Sequence, residues 1–202
     1  MRSFVSVLGA LLLGAAVPLC AQEPRTPATG PVIEGMASNY TLQLRYMAAA
    51  PVSIRSDLDY GLLLGDPHNA IASAAWLLDS EWEHVIPRLS FEVGPKAYMA
   101  LLANENRGVL SLAVGGDARL ELIPRIGLAF VGSAFYGPSI LMFGAANNLY
   151  DITAGVQVRF ARRLLALGGY RWFRYSLQHT GDDTVQNNVF VGLRYDLGRG
   201  PP

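Results

Sequence analysis

The clearest regularity along the chain has a period of two. From Tyr150 to Phe160, the residues Tyr150, Ile152, Ala154, Val156, Val158 and Phe160 alternate with Asp151, Thr153, Gly155, Gln157 and Arg159. Successive side chains of a strand point to opposite faces, so this stretch predicts a strand with one apolar and one polar face. It is about twice the usual strand length. Ten steps of about 3.3 Å, tilted by about 45°, rise roughly 23 Å, close to the ~25 Å apolar band of a membrane-spanning barrel. Aromatic residues at both ends of the apolar face match the girdles that such barrels carry at the two interfaces.

Other segments share the pattern. Tyr40, Leu42, Leu44 and Tyr46 alternate with Thr41, Gln43 and Arg45, and Val52, Ile54, Leu58, Tyr60 and Leu62 with Ser53, Arg55, Asp57, Asp59 and Gly61. Leu89, Phe91, Val93, Ala97 and Met99 oppose Ser90, Glu92, Gly94 and Lys96. Leu110, Leu112 and Val114 oppose Ser111, Ala113, Gly115, Asp117 and Arg119, and Ile126, Leu128, Phe130 and Tyr136 oppose Gly127, Ala129 and Ser133. At the end, Val189, Val191, Leu193, Tyr195 and Leu197 oppose Asn188, Gly192, Arg194 and Asp196. The runs Ala70–Leu78 and Leu164–Tyr175 are strand-like but of undefined phase. Turn signals such as Gly65-Asp66-Pro67-His68-Asn69 and Asn104-Glu105-Asn106-Arg107-Gly108 separate the runs. The reading is an all-β closed antiparallel barrel over residues 37–198. Eight strands from Val52 onward are expected, leaving Asn39–Ala48 as the odd one. Ten is the alternative, with an extra strand near Pro31–Met36 or in 137–147. Connections 176–187, 137–147, 102–107 and 65–69 fall at one end, and 161–163, 120–124 and 79–87 at the other.

The N-terminus reads differently. Arg2 precedes an apolar run from Phe4 to Val17, too short for a membrane helix, and a polar stretch follows Ala21. Residues 1–21 are expected to be a secretory signal peptide cleaved after Ala21. Cys20, the lone cysteine, invites a rival reading as a lipidation site, which the bulky Leu19 before it disfavours. Residues 22–36 read as a flexible tail and 199–202 as a C-terminal extension.

Composition decides which face is outside. Hydrophobic residues make up 51% of the 202, and only 16% are charged, against about 25% charged in ordinary globular domains. Lys96 is the sole lysine, whereas a water-facing calyx is normally dense in Lys and Glu. The apolar face is therefore expected to meet lipid, and the Gly-, Ser- and Thr-rich face to line a narrow lumen. Bases and acids balance at 16 each, without the basic excess of a nucleic-acid binder. The lumen-facing charges are Arg45, Arg55, Lys96, Arg119, Arg159 and Arg194 against Asp57, Asp59, Glu92, Asp117, Asp151 and Asp196. Their equal numbers predict interior ion pairs and a lumen plugged by side chains. The interfacial girdle is expected at Tyr40, Tyr46, Tyr60, Tyr136, Tyr150, Phe160 and Tyr195.

The stretches Phe91-Glu92-Val93-Gly94-Pro95-Lys96-Ala97-Tyr98, Leu112-Ala113-Val114-Gly115-Gly116-Asp117, Phe135-Tyr136-Gly137-Pro138-Ser139 and Gly168-Gly169-Tyr170-Arg171 resemble the YfaZ family of bacterial outer-membrane proteins. The resemblance runs from about Asn39 to Leu197. It implies an integral outer-membrane barrel and no particular activity. Gly192-x-x-Tyr195-x-Leu197 resembles the closing signal by which the last strand engages the outer-membrane assembly machinery, although Gly198-Arg199-Gly200-Pro201-Pro202 follows it here.

Catalytic signals are thin. His68, His84 and His179 lack a serine two residues on, the pattern of small lipid A deacylase barrels. A rim hydrolase using His68 and His179 with Asp66, Asp182 and Asp183 is the weakest of three readings. Glu81, Glu83 and His84 match no strong metal spacing, and Trp76, Trp82 and Trp172 read as interfacial anchors. The expectation is a monomeric, non-catalytic outer-membrane barrel without cofactor or metal. Its partners would be membrane lipid and lipopolysaccharide, with a narrow solute channel as the alternative.

Overall fold

The computed structural model of the chain describes residues 30–52, 55–65, 69–79, 88–102, 107–144, 146–177 and 181–198. Eleven strands follow one another: β1 (Val32–Ala37), β2 (Thr41–Ala49), β3 (Ser56–Gly65), β4 (Asn69–Asp79), β5 (Leu89–Leu102), β6 (Arg107–Ile123), β7 (Leu128–Gly137), β8 (Met142–Phe143), β9 (Ala146–Ala161), β10 (Leu164–Leu177) and β11 (Gly181–Asp196). Ten form a ring in the order β5-β4-β3-β2-β1-β11-β10-β9-β7-β6, and β6 pairs back onto β5. All pairings are antiparallel, and β8 lies outside the ring against Leu110 and Ser111 of β6. No described helix is long and apolar enough to cross a membrane, which says nothing about strands.

The barrel has ten strands, not eight, and the expected tail through Met36 ends earlier. Val32–Ala37 pairs with β2 on one side and β11 on the other. Its signal was weak because the strand has only six residues, Gly35 stands at its centre, and its inward residues Val32 and Met36 are themselves apolar. Asn39–Ala48, left over in an eight-stranded count, supplies β2. The strand read from Val52 begins at Ser56, because Val52 is exposed in a bend. With ten strands, Val32 and Asp196 meet at one end of the barrel, here called the near end. The ends of β2, β4, β6 and β9 and the starts of β3, β5, β7 and β10 lie there too, and β8 lies at the far end. The signal peptide, residues 22–29, Cys20, the extension 199–202, Trp82 and all three histidines lie outside the described residues.

Alternation places the faces as the pattern requires. Val114, Val189 and Val191 point outward at 61%, 70% and 69% exposure. Gln157, Asp59 and Asp151 point inward and are buried. The phase of β10 also resolves: Leu165, Leu167, Arg171, Phe173 and Tyr175 face in, and Tyr170 faces out. The β4–β5 ladder is interrupted opposite Gly94-Pro95, where Pro95 has no N–H to donate.

Two cross-strand rows explain where large rings fit inside so narrow a ring. Gly94 on β5, Gly115 on β6 and Phe135 on β7 are register partners in sequence. Gly155 on β9, Gly169 on β10 and Phe190 on β11 form the same arrangement. In each row the ring lies against the glycine next to it. A Cβ on Gly115 would overlap the Ala134 carbonyl oxygen and come within 2.7 Å of Phe135 Cδ1, and one on Gly169 would overlap Ala154 and lie 2.9 Å from Phe190 Cζ. Gly115→Val and Gly169→Val are each expected to destabilise the barrel by about 1–3 kcal/mol through overpacking, measured as an earlier urea midpoint of the refolded protein. Gly35→Ala, whose Cβ would meet nothing nearer than Leu44 Cδ2 at 3.7 Å, is expected to stay within about 0.5 kcal/mol of the parent.

Candidate functional site

The lumen divides into three zones along the axis. At the far end, inward residues of β3, β4, β5, β6, β7, β9, β10 and β11 form an apolar cluster that includes Leu63, Tyr98, Phe135, Leu149, Phe173 and Tyr175. Tyr98 and Phe173 pack with ring centroids 5.7 Å apart, and Phe173 and Tyr175 at 5.5 Å. The lumen is thus not polar throughout. Once the backbone ring supplies every strand with hydrogen-bonding partners, apolar side chains fill the inside as readily as polar ones, and they gain the burial energy of a core.

Charged struts cross the middle zone. The Arg45 guanidinium on β2 donates to Asp59 on β3 at 2.9 and 3.3 Å and to Asp117 on β6 at 3.1 Å. It also lies 3.6 Å from Glu34 on β1. Lys96 Nζ on β5 reaches Asp59 at 3.4 Å and sits 4.8 Å from the centre of the Phe135 ring. A second cluster centres on Asp151 of β9. Arg171 on β10 donates to both its carboxylate oxygens at 2.9 Å, and Tyr98 Oη donates to it at 2.8 Å. Arg171 also donates to Gln43 Oε1 on β2. Paired, bidentate geometry is what lets buried charges stay ionised.

The near zone is a cavity of about 440 Å³. Its lining runs from Asp151 and Arg171 in the middle to Gly30, Ala49 and Arg88 at the near rim. Asp57, Glu92, Arg119 and Arg194 line it. Arg119 pairs with Glu121 at 2.7 Å.

The expected charge network therefore falls into parts. Arg45, Asp59, Lys96 and Asp117 come together, and Asp151 joins a separate cluster. Asp57, Glu92, Arg119, Arg159, Arg194 and Asp196 lie towards the near end. Arg55 does not belong: it precedes β3 and is exposed, because the strand starts one residue after it. Four partners were not read from sequence. Glu34 fell within the expected tail. Arg171 and Gln43 needed the phase and neighbours of their strands, and Tyr98 was hidden because an aromatic residue reads as lipid-facing. The charge pattern of Glu34 opposite Arg45 was the one available signal.

Outside, aromatic side chains gather at two levels. Tyr195, Ile33, Tyr46 and Tyr60 are successive register partners across β11, β1, β2 and β3 near one end, where Phe160 is also exposed. Towards the other end, Tyr136 and Tyr150 pack at a tilt with ring centroids 5.1 Å apart and Tyr150 and Trp172 stack at 5.7 Å, with the Arg174 guanidinium 4.9 Å from the Trp172 ring centre. Tyr40 is exposed beside the 38–40 turn at that end.

Among the described residues, no group of three or more His, Cys, Asp or Glu is arranged to hold a metal ion. The family model described as YfaZ precursor matches residues 75–197, from within β4 to the end of β11. No curated protein matches the chain, and no solved structure does.

Removing one member of the Arg171–Asp151 pair strands the other in the lumen. Arg171→Met or Asp151→Leu alone is expected to cost about 3–5 kcal/mol. The double variant is expected to cost less than the sum, as read by a denaturant double-mutant cycle on the refolded barrel.

Proposed function

The chain belongs to the YfaZ family, and from that premise we propose that it is a small integral barrel of the bacterial outer membrane with a structural or interaction role. The observation that carries the reading is the closed ten-stranded ring with its apolar face turned outward between two aromatic levels. A closed ring satisfies every backbone donor and acceptor internally, which a lipid-embedded sheet requires. Val114, Val189 and Val191 are more than 60% exposed on that outer face, where lipid would cover them. Both ends of the ring lie together, as an even strand number demands, which fits a periplasmic near end.

Export through a signal peptide cleaved after Ala21 would deliver the chain, and the pattern ending at Tyr195 and Leu197 would engage the assembly machinery. Membrane lipid and lipopolysaccharide are its proposed surroundings, and a monomer its proposed state. The exposed guanidiniums of Arg88, Arg125, Arg162 and Arg163 at the near rim suit the phosphates of the inner leaflet.

The far-end apolar cluster and the central struts support a plugged lumen. The near-end cavity gives the narrow channel its one supporting observation, but that cavity spans part of the barrel length. No catalytic role is assigned.

Refolded protein is expected to migrate differently on SDS gels with and without heating, and to give no stable large conductance across a planar bilayer. Liposome swelling by small sugars would replace the plugged reading with the channel. A chain that stays in solution without detergent and shows no heat shift would overturn the membrane placement.

A further inference from the structure

The near-end cavity is lined by carboxylates on β3 to β6 and, across the ring, by Arg194 on β11. On one wall, Asp79, Glu92 and Asp117 are register partners across β4, β5 and β6, and Asp57 on β3 lines the cavity with them. Like charges directly opposite on a sheet repel. Across the ring, Arg194 on β11 lines the same cavity, while Arg119 on β6 lines it beside Asp117. Arg45, Lys96, Arg119 and Arg171 are each held in ion pairs. Asp57, Glu92 and Arg194 are not within 4.0 Å of an opposite charge among the described residues. β11 stands opposite β5 in the ten-stranded ring, so Arg194 lies across the cavity from Glu92. Asp117, in the acidic row, spends Oδ2 on Arg45 and leaves its buried Oδ1 without a hydrogen-bond partner.

A lone cation would relieve the carboxylates and meet Arg194, and a lone anion would do the reverse. A molecule carrying both charges relieves both walls. We propose that this cavity is a binding site for a small zwitterion of the amino-acid or short-peptide class, its ammonium held by Asp57 and Glu92 and its carboxylate by Arg194. The carboxylate accepts from guanidinium N–H groups, and the ammonium donates to the two carboxyls. About 440 Å³ is within the range of small-molecule sites, and admits a dipeptide with water. The ligand enters from the near end, since Gly30, Ala49 and Arg88 at that rim line the cavity while the apolar cluster fills the far end. This goes beyond the structural role proposed above and stands apart from where the barrel resides.

The test uses the full mature chain refolded in detergent micelles and three matched probes, with calorimetry or ligand-observed NMR as readout. Glycylglycine carries both charges, glycinamide only the positive one and N-acetylglycine only the negative one. Glycylglycine is expected to bind at least tenfold tighter than either analogue. Glu92→Gln and Arg194→Gln are each expected to weaken it tenfold or more, while Val191→Ala on the outer face leaves it unchanged. Each variant is accepted after its gel heat shift matches the parent, and Asp57→Asn replaces any that fails to fold. Absence of saturable glycylglycine binding, a preference for glycinamide or N-acetylglycine, or binding that survives the cavity substitutions would overturn the proposal. A barrel that binds but does not insert in membranes would overturn the membrane reading alone.

Discussion

Closure of the backbone ring by β1 is the constraint on which the rest of the structure depends. This strand has six residues, yet it is what joins β11 to β2. Without it both neighbours would be open edges, with unpaired N–H and C=O groups that water or another chain must satisfy. Closure also fixes which side of every strand is inside, because pairing partners share a face and a slip by one residue would invert that face. The same strand carries Glu34 opposite Arg45. One short segment therefore completes the hydrogen bonding and the first ion pair of the central zone at once.

With the faces fixed, the lumen is solved by three different physical means in succession along one axis. The far end behaves as a small apolar core. The middle is held by struts that link strands far apart in the ring, such as Arg45 to Asp117 and Tyr98 to Asp151. Such struts resist ovalisation, since a ring deforms by bringing opposite walls together or apart. The near end has neither apolar filling nor complete pairing. A burial of charge that is satisfied at one level and left facing across a gap at the next is a local departure from consistency, and such departures concentrate where a protein does something besides fold.

The fold class was legible because the strands alternate strongly between an apolar outer face and a more polar inner one. The eleven-residue pattern from Tyr150 to Phe160 lies within β9, with Asp151, Gln157 and Arg159 inward. The strand number was less legible. Period-two reasoning needs unlike faces, and β1 has Val32 and Met36 inside opposite Ile33 outside. The same limit hid the phase of β10, where Leu165, Leu167 and Phe173 face in and Gly168-Gly169 interrupt the pattern. Charge positions on well-phased strands could be assigned to the inside, as with Asp59, Lys96 and Asp151. Their partners could not, because Arg45 to Asp117 spans 72 residues and depends on the ring's curvature, which no local pattern encodes.

Composition takes on a sharper meaning in the same light. A glycine-rich inner face reads from sequence as a need for small residues in a narrow tube. The two rows Gly94–Gly115–Phe135 and Gly155–Gly169–Phe190 show a more specific use: a glycine stands beside the third strand where its ring comes close. The volume that small residues free is thereby returned to large ones, and both rings are almost fully buried. Their placement differs in consequence. Phe135 joins the far-end cluster and faces Lys96, whereas Phe190 packs with Met36 and Leu167 and lines the near-end cavity. One row therefore helps to seal the barrel and the other forms the apolar part of its open chamber. The contrast between the two ends of the lumen is thus written into the backbone spacing as well as into the charges.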